Sequence, residues 1–290
     1  MRRHEFRAMG TDVELLLDVE PRSDAVFGFT RVESEFRRLE RTLSRFDAAS
    51  ELSLLNALGW IEAGDDLVAV VSAALDARER TGGRFDPTVH RALVAAGYDR
   101  SFELLESAHP SEALAPPERG SGEVRLLGRR IELGDGVRLD LGGIGKGYAV
   151  ARTAALLASY GPCLVNAGGD IAVSGVPAAG VWPVGVEVPS GTLTLGLERG
   201  ALATSGRDRR RWTVGDEEQH HLIDPRTGRP VESNLVRVTV VAGTCAEAEV
   251  LAKALFLAGE DAGAHDADEL GVPALFVTDD ARVRKAGGLA

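Results

Sequence analysis

A chain of 290 residues with 44% hydrophobic content is long enough to bury a sizeable core, as one large domain or two. Its formal net charge of -11 excludes general nucleic-acid binding, which needs a basic face. Cys163 and Cys245 lie far apart with no C-x-x-C spacing, which excludes a disulfide framework and a zinc site; no run of about 20 apolar residues occurs, so a cytoplasmic protein without a membrane span is expected.

From the N-terminus, Val13, Leu15 and Leu17 alternate within Phe6 to Val19, the mark of a strand or strand pair, which Met9-Gly10-Thr11 interrupts. Phe29, Val32, Phe36, Leu39 and Leu43 then recur at helical spacing, predicting an amphipathic helix over Phe27 to Leu43. In LSRFDAASELSLLN, Ser50 can cap a short helix that packs Leu52, Leu54 and Leu55 inward and ends at Asn56. Asp65 to Thr81 reads as a further helix stopped by Gly82-Gly83, after which Asp86-Pro87 starts another, with Asp86 as its cap. The stretch from about Ser107 to Gly122 is rich in Pro, Ser, Gly and Glu without periodicity, and reads as an exposed loop between two lobes. VRLLG, RIELG and VRLDLG follow as a strand meander joined by Gly/Asp turns.

That meander leads into RLDLGGIGKGYAVAR, the stretch around which the chain is organised. Val137, Leu139 and Leu141 read as a strand end, Gly142, Gly143, Gly145 and Gly147 as a turn, and Tyr148 to Ala158 as a helix. A glycine turn opening a helix leaves backbone N–H groups facing one small volume at the positive end of the helix dipole. It serves either as a phosphate cradle, with Lys146 adding a point charge, or as a tight corner that needs glycine for packing. Lysine usage favours the cradle: of 33 Lys+Arg only Lys146, Lys253 and Lys285 are lysines, so arginine is the default surface cation.

Beyond it, CLVNAGGDIAVSG predicts two strands about Gly168-Gly169, either a plain hairpin or a close backbone approach to a ligand with Asp170 as acceptor. Val184 to Glu198 adds alternation, and Ser205-Gly206 is placed in a turn ahead of Arg207, Arg209, Arg210 and Arg211. In HHLIDPRTGRPV two tight turns hold His221, Ile223 and Asp224 on a rigid corner. Ala246 to Leu257 reads as a helix with Glu249 and Lys253 spaced for an ion pair, and Pro273 to Val277 and Ala281 to Lys285 close the sheet.

The ordered blocks MGT, SELSLLN, GRFDPTV, LDLGGIGKGYAV, VNAGGDIAVSG, ATSGRDRRRW, HLIDPRTGRPV and AEAEVLAKALFLAG resemble the FAD:protein FMN transferase family, known as ApbE, from Met9 to about Gly259. The resemblance implies a single α+β, T-fold-like domain over residues 1 to 290, with mixed or antiparallel sheets, packed helices and a flavin cleft between two lobes. It implies transfer of FMN from FAD to a Ser/Thr hydroxyl of an acceptor protein bearing a flavinylation-type motif, with release of AMP. FAD pyrophosphatase activity, giving FMN and AMP, and non-catalytic FAD binding on the same fold are the alternatives. By the same resemblance Met9, Asn56, Phe85, Asp86, Asp140, Gly143, Lys146, Ser205 and Ile223 bind FAD, and His221, Asp224 and Lys146 are catalytic.

The resemblance further implies a magnesium ion on the pyrophosphate, held by a main-chain carbonyl matching Gly143 and by an aspartate and a threonine four residues apart on the late helix. This sequence departs there, with Glu249 and Lys253. Glutamate can ligate magnesium, whereas an ammonium has no lone pair to give. Either Lys253 replaces the metal as a fixed charge, or it pairs with Glu249 and metal-dependent transfer is lost.

Overall fold

The structure, a computed structural model, describes residues 1–20, 24–105, 120 and 122–289. The chain divides into two compact units, each assembled from separate stretches: Met1–Glu40, Ile144–Ser205 and Asn234–Ala290 form the first, and Arg41–Gly143 with Gly206–Ser233 the second. The fold is mixed α and β, and among the described residues no helix is long and apolar enough to cross a membrane.

The first unit is built on an eight-stranded sheet whose spatial order follows chain order: Arg2–Ala8, Thr11–Leu17, Cys163–Ala167, Asp170–Ser174, Gly200–Gly206, Leu235–Ala242, Ala274–Thr278 and Val283–Ala286. The first five pair antiparallel in turn, as do the last three. Val13, Leu15 and Leu17 alternate inward and meet Phe29, Val32, Phe36 and Leu39 of the Ala25–Leu43 helix. Ala149, Val150, Ala154 and Leu157 of the Gly145–Leu157 helix join the same core. On the other face Leu164, Ile171, Val173 and Leu202 meet Trp182, Val184 and Val186, from the hairpin of Trp182–Val188 and Gly191–Leu197. The expected break at Met9 is a two-residue hairpin turn: Ala8 pairs with Thr11, and Met9 and Gly10 take φ of 52° and 68°. Both positive angles suit the twist of a hairpin, and Met9, which L side chains disfavour there, is pinned by its N–H donating to Glu40 Oε1 at 2.8 Å.

The second unit carries the Glu51–Leu58, Asp65–Arg80, His90–Ala95 and Phe102–Leu105 helices and a sheet of Trp60–Glu62, Arg130–Leu133 and Val124–Leu127. Ser50 caps the first helix through Ser53 N–H, as its sequence predicts. Leu52 and Leu55 face inward, but Leu54 is 43% exposed, since three leucines so closely spaced cannot share one helical face. Most of the stretch from Ser107 to Gly122 lies outside the described residues. Asp86 does not cap a helix directly: its Oδ1 accepts from Thr88 N–H at 2.8 Å and Thr88 Oγ1 at 2.7 Å, closing a turn before the helix starts at His90.

The central stretch departs furthest from expectation. Val137 to Leu141 forms no sheet strand; the Asn56 side chain takes the hydrogen bonds that a neighbouring strand would have made. Asn56 Nδ2 donates to Leu139 O at 2.8 Å and Leu139 N–H to Asn56 Oδ1 at 2.7 Å, while Asp140 N–H donates to Pro87 O at 2.8 Å. The helix then begins at Gly145, three residues early, so Gly147 lies inside it. A Cβ at Gly147 would meet Cys245 O at 2.6 Å and Ala246 N at 2.7 Å, backbone that cannot swing aside. Gly147 therefore serves packing, the close crossing of the Gly145–Leu157 and Cys245–Ala258 helices. Gly147→Ala should cost about 1–3 kcal/mol or more by urea denaturation; an unchanged midpoint would mean the crossing is loose. Ser205 and Gly206 likewise end a strand rather than making a turn.

Candidate functional site

In the first unit, the crossing of those two helices places three charges together. Lys146, in the first turn of its helix, donates from Nζ to Asp170 Oδ2 and to Glu249 Oε1, the latter at 2.8 Å. Gly147 N–H donates to Glu249 Oε2 at 2.8 Å, so one carboxylate both neutralises the lysine and satisfies an N-terminal amide of the helix. The side chains of Asp170 and Glu249 are 4% and 6% exposed, that of Lys146 17%. Lys146 is thus not a bare phosphate-seeking charge, and Glu249, spaced for a pair with Lys253, is paired with Lys146 instead. Cys245 lies alongside: burial first, then the Asp170 and Glu249 carboxylates, push its thiol well above its ordinary range. Cys163 is also buried, its thiol pushed up to about 12 by burial, so both are inert free thiols.

The second unit holds a cluster around Asp140. Arg45 Nε meets Asp140 Oδ2 at 2.6 Å, and Gly142 N–H donates to Asp140 Oδ1 at 2.8 Å. The guanidinium, only 6% exposed, lies over Phe46 and Tyr98 at 4.2 and 4.5 Å from the ring centres, and Tyr98 in turn packs on Trp212 at 5.2 Å. Arg45 Nη2 and His90 Nδ1 are buried without a hydrogen-bond partner among the described residues. Buried polar atoms left unpaired are costly, and they concentrate where structure is kept for a purpose other than stability. Arg45 and His90 escaped the sequence reading because neither sits in a motif; only the fold brings them to Asp140.

Burial pushes the His90 imidazole down from 6.5 to about 4, with Asp140 opposing and Arg45, Arg138 and Arg91 reinforcing. In the unfolded chain His90 takes its proton near pH 6.5, whereas the folded protein refuses it until about 4. Stability that is fully present above 6.5 is therefore lost as pH falls across that window. By about pH 4.5 the native chain should lose roughly 2 kcal/mol more than His90→Gln, measured as urea-unfolding free energies at both ends of the range. Parallel pH curves for the two proteins would rule this out.

The third group is the corner after the Glu217–His220 strand, also in the second unit. His220 is buried and fully used: Nδ1 accepts from Leu222 N–H at 3.3 Å and Nε2 donates to Val231 O at 3.2 Å. His221 is half-buried, with Nδ1 at 3.4 Å from Arg210 O. A short hairpin of Ile223–Asp224 and Arg229–Pro230 carries Asp224, whose carboxylate accepts from Arg226 N–H at 2.9 Å and Arg226 Nη2 at 2.9 Å. Burial pushes the Asp224 carboxyl up, but Arg226 outweighs it and holds the group below its ordinary value. Ile223 is buried with Trp212, Val214 and Leu93.

Of the other sequence-predicted residues, Phe85 and Ser205 are buried, Gly143 is buried and Gly142 exposed. Asp86, besides holding Thr88, faces Arg78 Nε at 3.3 Å. Asn56 and Asp86 thus spend their polar atoms on the protein itself. The geometry gathers Lys146 with Asp170 and Glu249 in one unit, and Asn56 with the Asp140 segment in the other.

The sequence pattern of the ApbE family matches residues 9–276. The FAD:protein FMN transferase of Treponema pallidum (strain Nichols) is 28% identical over 296 residues, covering 93% of this chain and 82% of that protein. The FAD:protein FMN transferase of Vibrio cholerae serotype O1 is 36% identical over 269 residues, covering 87% and 80%. The crystal structure of the ApbE protein of Thermotoga maritima MSB8 superposes with a TM-score of 0.83 at 27% identity, over 98% of this chain and 96% of that one.

Proposed function

Because the chain belongs to the ApbE family, we propose that it is a flavin transferase, taking FMN from FAD and placing it on a Ser/Thr hydroxyl of an acceptor protein. Its support is the breadth of likeness: FAD:protein FMN transferases match along most of both chains, not at one motif. The acceptor oxygen attacks the FMN phosphorus; a new P–O bond forms as the P–O bond to the bridging oxygen breaks, and that electron pair leaves with AMP. The hydroxyl proton passes to His221. Such a displacement asks little covalent chemistry of the protein and much positioning.

We assign FAD to the residues Met9, Phe85, Asp140, Gly143, Ser205 and Ile223, with different tasks for Asn56, Asp86 and Lys146. Asn56 holds the segment that carries Asp140, and Asp86 shapes the turn before His90. Lys146 orders two carboxylates, and Asp224 stiffens the histidine corner through Arg226. The acceptor carries a flavinylation-type Ser/Thr motif, and a cytoplasmic setting fits two buried free thiols.

The test is incubation of the purified protein with FAD and a candidate acceptor, read by intact mass of the acceptor and chromatography of the nucleotides. One FMN gained per acceptor with equimolar AMP is expected. FMN and AMP without an acceptor adduct would make it a pyrophosphatase, and FAD recovered intact would make it a binding protein.

A further inference from the structure

The residues at the position implied for magnesium do not fit that ion. Glu249 has both oxygens engaged, one on Lys146 Nζ and one on Gly147 N–H, each at 2.8 Å. Asp170 is turned onto the same ammonium. An octahedral ion with ligand distances near 2.0–2.1 Å would have to displace Lys146 and strip the helix amide of its acceptor. One turn beyond Glu249, Lys253 can only repel it.

Charge points the same way. Lys146, Asp170 and Glu249 together carry one net negative charge, and Lys253 brings the group to neutrality before any ion arrives. A hydroxyl at Lys253 would leave that negative charge uncompensated, the condition under which a divalent cation is held. Lys253 is half-buried on the Cys245–Ala258 helix, one turn after Glu249, a spacing that puts the two residues on the same side of the helix. Lys146 locks the carboxylates, and Lys253 adds a second positive charge one turn along the same helix as Glu249.

Resting on FAD as the substrate, we infer that the Lys253 ammonium binds the dinucleotide's pyrophosphate in place of a metal, and that FAD binding by this chain needs no divalent cation. A lysine meets phosphate as a point charge, which suits a pyrophosphate with several rotatable oxygens.

The test is calorimetric titration of FAD into the full-length protein in EDTA and in magnesium. The native chain should bind with the same Kd, within about twofold, in both. In EDTA, Lys253→Thr should weaken FAD by about 10- to 100-fold, the cost of one charged hydrogen bond, while Lys253→Arg should hold it within about threefold. Lys253→Thr with Glu249→Asp should bind FAD well only in magnesium. Native binding that collapses in EDTA and returns with magnesium would overturn the inference, as would unchanged affinity in Lys253→Thr with its urea midpoint intact. No FAD binding under either condition would overturn the substrate reading and the inference with it, a result distinct from a collapse that magnesium repairs.

Discussion

Lys146→Ala should destabilise the protein by about 3–5 kcal/mol near neutral pH, because removing one partner of a buried ion cluster strands the others. The stranded groups are Asp170 and Glu249, whose side chains are 4% and 6% exposed and which share the single Nζ. Left without it, two like charges face each other across a poorly solvated space. An exposed pair such as Arg37 with Glu33 offers the contrast, since it is worth about 0.2–1 kcal/mol. Urea unfolding of native and Lys146→Ala proteins at neutral pH measures the loss. Lys146→Met with Asp170→Asn and Glu249→Gln should recover part of the loss by removing all three charges. A loss under about 1 kcal/mol at neutral pH would show the cluster to be screened by water.

What the sequence made legible was whatever depends on neighbours along the chain. Phe29, Val32, Phe36 and Leu39 declare a helix by their spacing alone, and the same residues line the core beneath the sheet. Met9-Gly10-Thr11 breaks the strand alternation and Gly168-Gly169 stands between two apolar runs, and both turns join adjacent antiparallel strands. Failures came where partners are remote. Val137 to Leu141 alternates like a strand, but its hydrogen bonds go to the Asn56 side chain, 83 residues away from Leu139, which no local pattern can announce. Glu249 has ideal spacing to Lys253 and still turns to Lys146, 103 residues distant, because that lysine sits beside an unsatisfied helix amide that the same carboxylate can reach. Helical spacing makes a pair possible; a buried competitor with two donors wins it. Gly147 was legible as a glycine with a purpose, while the purpose, the Cys245 carbonyl, belonged to another helix.

His221→Ala should lower the rate of FMN transfer by about 10²- to 10⁴-fold, the range of a positioned general base, while FAD affinity stays within about threefold. Two adjacent histidines invite the question of which one works, and their surroundings divide them. His220 uses both ring nitrogens on backbone, Nδ1 on Leu222 N–H and Nε2 on Val231 O, and burial pushes its imidazole below the ordinary value. It has no lone pair to offer a substrate and serves as a pin for the corner. His221 is half-buried, and Nδ1 faces the Arg210 carbonyl at 3.4 Å. A carbonyl there favours the tautomer with the proton on Nδ1, which makes Nε2 the ring's basic nitrogen. Asp224 does not orient this ring in the manner of a triad, since Arg226 takes its carboxylate at both oxygens. Asp224→Asn should therefore act on rate mainly by loosening the corner, with a fall of about tenfold or less, well short of His221→Ala. His220→Ala should appear chiefly as lost stability, about 1–3 kcal/mol from two backbone groups left unpaired in a buried place. Single-turnover transfer followed by mass spectrometry, with urea midpoints alongside, separates the three variants. If His221→Ala transfers within about tenfold of the native rate, the proton leaves by another route and His221 is not the base.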